Sequence, residues 1–455
     1  MPSSINPATG ETVGTHPFLT DPDIEAALVR ATRANLTWSA MSCAERAVPM
    51  KTAAALLRAA KNDLARTITL EMGKPLAEAE AEVDKSAWNC EYVADRAEQW
   101  LADELVQTEA RQSYISYLPL GTVLAILPWN FPVWQIFRCA VSLLMAGNTV
   151  LLKHAPNVLG CAQLVADLMN RAGFPEGAFQ NLPIPVERIG RVITDSRVAG
   201  VTLTGSPAAG AAVAAQAGAA CKKSVLELGG SDAFIVLDDA DLDAAVAAGV
   251  RARFSNCGQV CLAAKRFIVT PGVAAQFEER FVEEVRKLRS GDPLDRATKI
   301  GPLARDDLRI TLYTQVRDST AAGAKLVMGG HPRPGRGFFY EPTVITDATP
   351  GMPVVCQETF GPVAAIMRAR DAEDAAALAN HSRYGLSSAI WSRDVSRARS
   401  LARRIAAGGV FINATSASDP RMPVGGIKLS GYGRELGVAG MREWVNMQSV
   451  WVAGP

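Results

Sequence analysis

Histidine is scarce in this chain, and paired cysteine motifs are missing. Four His occur among 455 residues. The eight Cys, at 43, 90, 139, 161, 221, 257, 261 and 356, form no CxxC pair. A Cys/His metal site is therefore not expected. Net charge is missing as well: 47 Lys and Arg face 46 Asp and Glu, for a formal charge of +1. That balance offers no electrostatic reason to expect a nucleic acid or an anionic membrane surface as partner. Gly (37) and Pro (26) are spread along the chain and form no collagen-like or linker-like tract. The opening Met1-Pro2-Ser3-Ser4-Ile5-Asn6-Pro7 has no basic segment followed by an apolar one, so no secretory signal is expected. Scattered thiols without such a signal predict reduced cysteines in the cytoplasm.

What is present is apolar. Hydrophobic residues make up 48% and charged residues 20%, which supports a large core and argues against disorder. At roughly 150 residues per domain, the length suggests about three units. From 112 to 152 the only charged side chain is Arg138. A membrane span is not expected there. Pro119, Pro128 and Pro132 each remove a helical donor, and Asn130 and Gln135 would lack partners in lipid. The stretch reads as buried strand, turn and buried helix.

The front third reads as helices. Asp21 is the expected N-cap of the first, with Pro22 at the first helical position. Others are expected over 44–59, 62–71 and, as one long helix, 75–102. From Tyr114-Ile115-Ser116-Tyr117-Leu118 onward strands and helices alternate. Strands are expected at 121–127, 149–152, 200–203, 224–228, 234–237, 266–269, 326–328, 363–367, 388–391 and 410–412. Helical patterns fall at 240–254, 273–288, 305–321, 371–381 and 395–405, and Ala-rich 208–220 reads as a tightly packed helix. Repeated strand–helix units predict α/β architecture with mostly parallel sheets.

Asn256-Cys257-Gly258-Gln259-Val260-Cys261 lies between one such helix and the strand near 266. Gly258 permits a sharp turn, which would hold Cys261 at an element end in a cleft. A thiol there can be activated by helix-end amides or a neighbouring cation. On this fragment alone, a buried structural Cys is the stronger reading.

Other segments change that weighting. Phe254-Ser255-Asn256-Cys257-Gly258-Gln259-Val260-Cys261 resembles the active-site signature of the aldehyde dehydrogenase superfamily. Val225-Leu226-Glu227-Leu228-Gly229-Gly230 resembles its strand-end glutamate signature. Pro128-Trp129-Asn130-Phe131-Pro132, Glu358-Thr359-Phe360-Gly361-Pro362-Val363, Gly425-Gly426-Ile427-Lys428-Leu429-Ser430-Gly431 and the opening Ile5-Asn6-Pro7-Ala8-Thr9-Gly10 are similar to further family segments. They come in the family's order and cover nearly the whole chain. The sequence is most similar to the succinate-semialdehyde dehydrogenase branch.

The resemblance implies an α/β fold with a modified Rossmann cofactor domain (1–100 and 120–228), an α/β catalytic domain (229–438) and a β oligomerisation arm (101–119 and 439–455). An exposed strand edge in the arm implies a homodimer or homotetramer. The implied reaction is oxidation of a small aldehyde by NADP or NAD, with succinate semialdehyde going to succinate. Cys261 would add to the carbonyl. The Asn130 amide and the Cys261 backbone N–H would hold the oxyanion, each such donor contributing about 2.7–4 kcal/mol. Glu227 would activate the water that hydrolyses the thioester. On the residues alone, Asn130 is a turn residue between two prolines and Glu227 a paired or exposed acid. Strand alternation does put Glu227 on the face opposite its neighbours Leu226 and Leu228.

No GxGxxG opens a helix after a strand. Thr204-Gly205-Ser206-Pro207-Ala208-Ala209-Gly210 is the weaker alternative, able to seat pyrophosphate on a helix N-terminus or to be a plain turn. The resemblance assigns Gly205, Ser206 and Gly210 to the cofactor, with Trp129, Lys153, Glu358 and Phe360. Pro156 departs from the family, since many NAD-preferring relatives carry a Glu there that repels a 2′-phosphate. NADP use at least comparable to NAD is expected, with Lys153 and His154 as candidates to hold the phosphate.

For the substrate, Arg138 is either a structural ion pair with a distant acid or the anchor of a substrate carboxylate. The resemblance favours the anchor, with Trp134 walling the tunnel and Ser418 assisting. A second pocket arginine of related branches is Ser255 here. The alternatives are another small carboxylated or neutral aldehyde, a CoA-acylating enzyme (against which Glu227 speaks), a cysteine hydrolase and a non-catalytic scaffold.

Overall fold

The structure is a computed structural model that describes residues 1–454. Two large sheets carry it. In the first, Gly431–Tyr432, Lys223–Glu227, Val198–Thr204, Thr122–Leu127, Thr149–His154 and Phe179–Asn181 lie side by side in that order. All run parallel except Gly431–Tyr432, which is antiparallel to Lys223–Glu227. Thr122–Leu127 and Thr149–His154 are buried at every position, because helices cover both faces of the sheet. Their side chains alternate between two cores. Val123, Ala125 and Leu127 join the one that includes the helices Cys43–Ala59, Leu76–Ala94 and Trp134–Met145. Leu124 and Ile126 join the core under Asp21–Trp38 and Ile189–Thr194.

The second sheet is ordered Lys325–Met328, Thr343–Thr346, Val363–Arg368, Ala264–Val269, Asp232–Val236, Ser387–Trp391, Gly409–Ile412. It is parallel apart from its first pair. Phe234, Phe267 and Phe281 fill its centre, with ring centroids 5.2 and 4.8 Å apart. A third sheet is separate and antiparallel. Val445–Val452 pairs with Gln112–Pro119 at every position of both strands, and Glu104–Leu105 adds a short edge.

The nearly uncharged stretch is core. Trp134–Met145 is buried at all 12 of its positions, Arg138 included. Among the described residues no helix is long and apolar enough to cross a membrane.

Three expectations need correction. Thr20, not Asp21, caps the first helix. Its hydroxyl accepts from Asp23 N while the Asp23 carboxylate accepts from Thr20 N, a reciprocal pairing that Asp21 is too late in the chain to make. The long helix stops at Ala94 and resumes only as Ala97–Trp100. The Ala-rich helix Pro207–Ala219 is mostly exposed and buries only Gly210, Val213 and Ala217, since alanine is a strong helix former that needs no packing partner.

Candidate active site

The carboxyl ends of the first sheet face the amino ends of the second. Trp129 and Asn130 follow Thr122–Leu127, Gly205 and Ser206 follow Val198–Thr204, and Glu227 ends its strand. Cys261 precedes Ala264–Val269, and Glu358 and Phe360 precede Val363–Arg368. Open α/β sheets bind ligands at such carboxyl edges.

The nucleophile loop is strained and heavily tied. Asn256 and Cys257 have φ of 51° and 55°. A non-glycine residue in this region costs about 1–2 kcal/mol. Hydrogen bonds over-determine it. Asn256 N donates to Glu78 Oε2 (2.6 Å) and Asn256 Nδ2 to the Asn130 carbonyl (2.8 Å). Ala304 N donates to Gln259 Oε1 (2.9 Å), and Lys265 Nζ to the Cys261 carbonyl (2.6 Å). Gly258, at φ 73°, is required, because a Cβ there would lie 2.3 Å from the Gly361 carbonyl. Buried Arg253 donates to the carbonyls of Gly361 and Thr359, joining this loop to the one carrying Glu358 and Phe360.

Two cavities meet at Cys261. One, of about 370 Å³, is lined by Trp129, Asn130, Gly205, Ser206, Glu358 and Phe360, among others. The other, of about 290 Å³, is lined by Lys85, Trp134, Arg138, Arg251, Ser255 and Ser418, among others. Cys261 and Gln135 line both. Burial pushes the Cys261 thiol up to about 11, while Arg138 and Lys265 pull the other way. The resting group is therefore a thiol that needs a base or an incoming positive charge to ionise.

Asn130 Nδ2 donates to the Gln259 carbonyl at 3.1 Å, which leaves its second N–H free. The Cys261 N–H makes no backbone hydrogen bond among the described residues. Glu227 lines neither cavity. It shares a strand face with Val225, turned toward the helix Trp134–Met145, and its Oε2 lies 3.9 Å from Arg138 Nη2. Burial raises its pKa well above the usual carboxylate range, opposed chiefly by Arg138. Its Oε1 has no hydrogen-bond partner. Gly425 leaves room beside that oxygen, since a Cβ there would stand 2.9 Å away.

Arg138 lines the second cavity, but its charge is taken. Nε pairs with Glu435, Nη2 faces Glu227, and Nη2 donates to Thr204 Oγ1 at 3.0 Å. It makes the ion pair with a distant acid, one of the two roles expected of it, while still lining the cavity beside Cys261. Trp134 is buried on the same cavity wall, and Ser418 Oγ accepts from Lys85 Nζ at 2.8 Å.

In the first cavity, Glu358 accepts from Gly230 N at 3.0 Å and lies 3.4 Å from Lys265 Nζ. Gly229 permits that approach, because a Cβ would fall 2.2 Å from the carboxylate. Trp129 and Phe360 meet edge to face at 5.6 Å. Ser206 caps Pro207–Ala219, its Oγ accepting from Ala209 N. These apolar walls, a helix N-terminus and a fixed carboxylate fit a dinucleotide. Lys153, next to last in the strand Thr149–His154, is mostly buried and lines neither cavity, with no ion pair among the described residues, and burial lowers its pKa. Pro156 is exposed at the start of the turn Pro156–Val158. Two expectations fail. Gly210 lies one turn inside the helix, where a Cβ would stand 2.6 Å from the Leu228 side chain, and so serves packing and lines neither cavity. His154 is buried against the carbonyls of Leu127 and Pro132 and pushed down to about 4, which leaves it neutral and out of reach of a phosphate.

Sequence reasoning missed Lys85, Arg251, Lys265 and Glu435. Lys85 shares one helix face with Glu78 and Glu82, a spacing that in sequence reads as a solvated charged face.

Fold and site together define an α/β protein whose thiol joins a cleft at the carboxyl edge of a parallel sheet to a second cavity lined by cationic side chains. The aldehyde dehydrogenase family profile matches residues 2–450, and the chain belongs to that family. It is 50% identical over 448 residues to a succinate semialdehyde dehydrogenase [NAD(P)+] of Escherichia coli K12, covering 98% of this chain and 97% of the relative. It is 47% identical over 451 residues to a probable succinate-semialdehyde dehydrogenase [NADP(+)] of Synechocystis, covering 99% of each. The crystal structure of a succinic semialdehyde dehydrogenase from Streptococcus pyogenes with NADP+ superimposes with TM-score 0.98 at 37% identity, covering 100% of both chains.

Proposed function

We propose that this protein oxidises succinate semialdehyde to succinate with NADP or NAD. The observation that carries the reading is a single thiol shared by two cavities, one shaped for a dinucleotide and one ending in cationic side chains. Gly205, Ser206, Glu358, Trp129 and Phe360, which line that cavity, would hold the cofactor together with Lys153 on the strand beside Thr122–Leu127, with nothing anionic at Pro156 to oppose a 2′-phosphate. When bound, the nicotinamide supplies a hydride acceptor.

The chain's own part runs as follows. Cys261 Sγ gives its proton to solvent water and adds to the aldehyde carbon, and the carbonyl electron pair moves to oxygen. The free Asn130 N–H and the Cys261 N–H stabilise that oxygen. Loss of hydride from the same carbon leaves a thioester on Cys261. Glu227, whose Oε1 lies unpartnered beside Gly425, takes a proton from water. The hydroxide adds to the thioester carbon, and Cys261 departs as thiolate with the acid product.

We also propose a homodimer or homotetramer. Val445–Val452 is an edge strand whose Met447 and Trp451 are exposed, and a second copy of the chain would cover them. Eight unpaired thiols support a reducing, cytoplasmic setting. The test is a panel of three- to six-carbon aldehydes, with and without a terminal carboxylate, run with each cofactor and with CoA. Preference for the four-carbon carboxylated aldehyde and release of free acid are expected. Equal use of neutral and carboxylated aldehydes, or a CoA thioester product, would overturn the reading.

A further inference from the structure

The tunnel holds one half-buried positive charge that no acid of the protein pairs with. Three cations line it, Lys85, Arg138 and Arg251. Arg138 is paired with Glu435 and Glu227, and Arg251, though also unpaired among the described residues, is exposed and keeps its hydration. Lys85 differs from both. It makes no ion pair among the described residues, and its one hydrogen bond goes to the neutral Ser418 Oγ at 2.8 Å. Its ammonium stands 4.3 Å from the centre of the Trp134 ring. An ammonium has three donors, so two remain.

The neighbouring acids are all engaged elsewhere. Glu82 pairs with buried Lys74 through Oε2 and accepts from Val133 N and Trp134 N through Oε1. Glu78 Oε2 accepts from Asn256 N, and both Asp419 oxygens are held by Arg421. A half-buried cation left without a counter-ion invites an anion from solution. Burial accordingly draws the Lys85 pKa down to about 8.

We infer that Lys85, seated by Ser418 and Trp134, captures the distal carboxylate of the substrate, while Arg138 serves as counter-charge to Glu227 and Glu435. The inference rests on the carboxylated-aldehyde reading above and names the group that would select for it. Lys85 and Cys261 line the same cavity, so an aldehyde at the thiol and a carboxylate at the ammonium occupy one continuous space. Lys85 takes no part in bond making and acts on affinity alone.

The test compares wild type, Lys85→Met and Lys85→Arg on succinate semialdehyde and on butanal, which has the same carbon count and no charge. A charge-assisted hydrogen bond of this type is worth about tenfold to a hundredfold in binding. The KM of Lys85→Met for succinate semialdehyde should therefore rise by about that factor, with kcat and all butanal constants close to wild type. Lys85→Arg should recover much of the loss. Wild-type preference for succinate semialdehyde that survives intact in Lys85→Met would overturn the inference and leave the functional reading standing. Parallel losses on both aldehydes would also overturn it, by showing a structural role. A wild type without preference between the two aldehydes would overturn the functional reading and the inference with it.

Discussion

Replacing Arg138 by Met keeps the aliphatic stem and removes the guanidinium from between two acids. Glu227 and Glu435 have side chains only 2% exposed, and Arg138 is the cation both of them face. Breaking a buried pair by deleting one partner costs about 3–5 kcal/mol. A chain of 455 residues unfolds with an entropy of about 1 kcal/mol per degree near 60 °C, so Tm should fall by about 3–5 °C. The site can relieve the strain by keeping a proton on one carboxyl. Burial already raises the Glu227 pKa, and Arg138 is the main influence holding it back, so its loss raises Glu227 further. A general base works only above its pKa. The limb of the pH profile governed by thioester hydrolysis should therefore move to higher pH, while formation of the thioester is slowed less, because Lys265 still draws the Cys261 thiol down when Arg138 is gone. Stopped-flow absorbance at neutral pH should show a burst of about one NADPH per site followed by a slow steady state, recovering as pH rises. The slow phase should be equally slow for succinate semialdehyde and butanal. An unmoved pH limb together with an unchanged Tm would refute the argument, and a defect confined to carboxylated aldehydes would restore Arg138 as the anchor.

Three further outcomes are expected. Asn130→Ala should lower kcat by about 10²–10³-fold with little change in KM, and a loss under about tenfold would remove its amide from the oxyanion site. Steady-state kinetics should show NADP used at least as well as NAD, with Lys153→Met weakening NADP more than NAD; a preference for NAD of about a hundredfold or more would refute this. The ratio of kcat/KM for succinate semialdehyde over butanal should fall as pH rises through about 8, because Lys85 loses its charge there. Glu78 and Glu82 on its own helix, Arg138 from the adjoining helix, Asp419 from the loop beside it and Cys261 are the ionisable groups around it, and taking the ratio cancels the titration of Cys261, which both substrates share. A ratio flat from pH 7 to 10 would count against the assignment.

Cys261, Glu227, Asn130 and Glu358 stood out in the sequence through family resemblance; the structure brings Cys261, Asn130 and Glu358 to the cavities and leaves Glu227 outside their lining. The strands that run apolar on both faces were legible from their composition. Pairings between remote segments were not readable. Arg138 finds Glu435 only because the segment from Gly425 to Arg442 folds back beside the first sheet, and nothing near Arg138 announces it. Lys85 was hidden differently: charged residues at helical spacing normally face water, and only the packing of Leu76–Ala94 against Trp134–Met145 turns this one toward a cavity. Very short strands such as Phe179–Asn181 and Thr343–Thr346 carry too few residues to show a period, and the sheet rather than local preference makes them extended.

The strand Val445–Val452 has a consequence for biogenesis. Its partner Gln112–Pro119 leads directly into a central strand of the first sheet, yet the pairing residues are made after every strand of both large sheets. Until then Gln112–Pro119 waits with one long edge open, exposed to strands of other nascent chains. Synthesis of Val445–Val452, rather than completion of either large sheet, is the event that closes this edge.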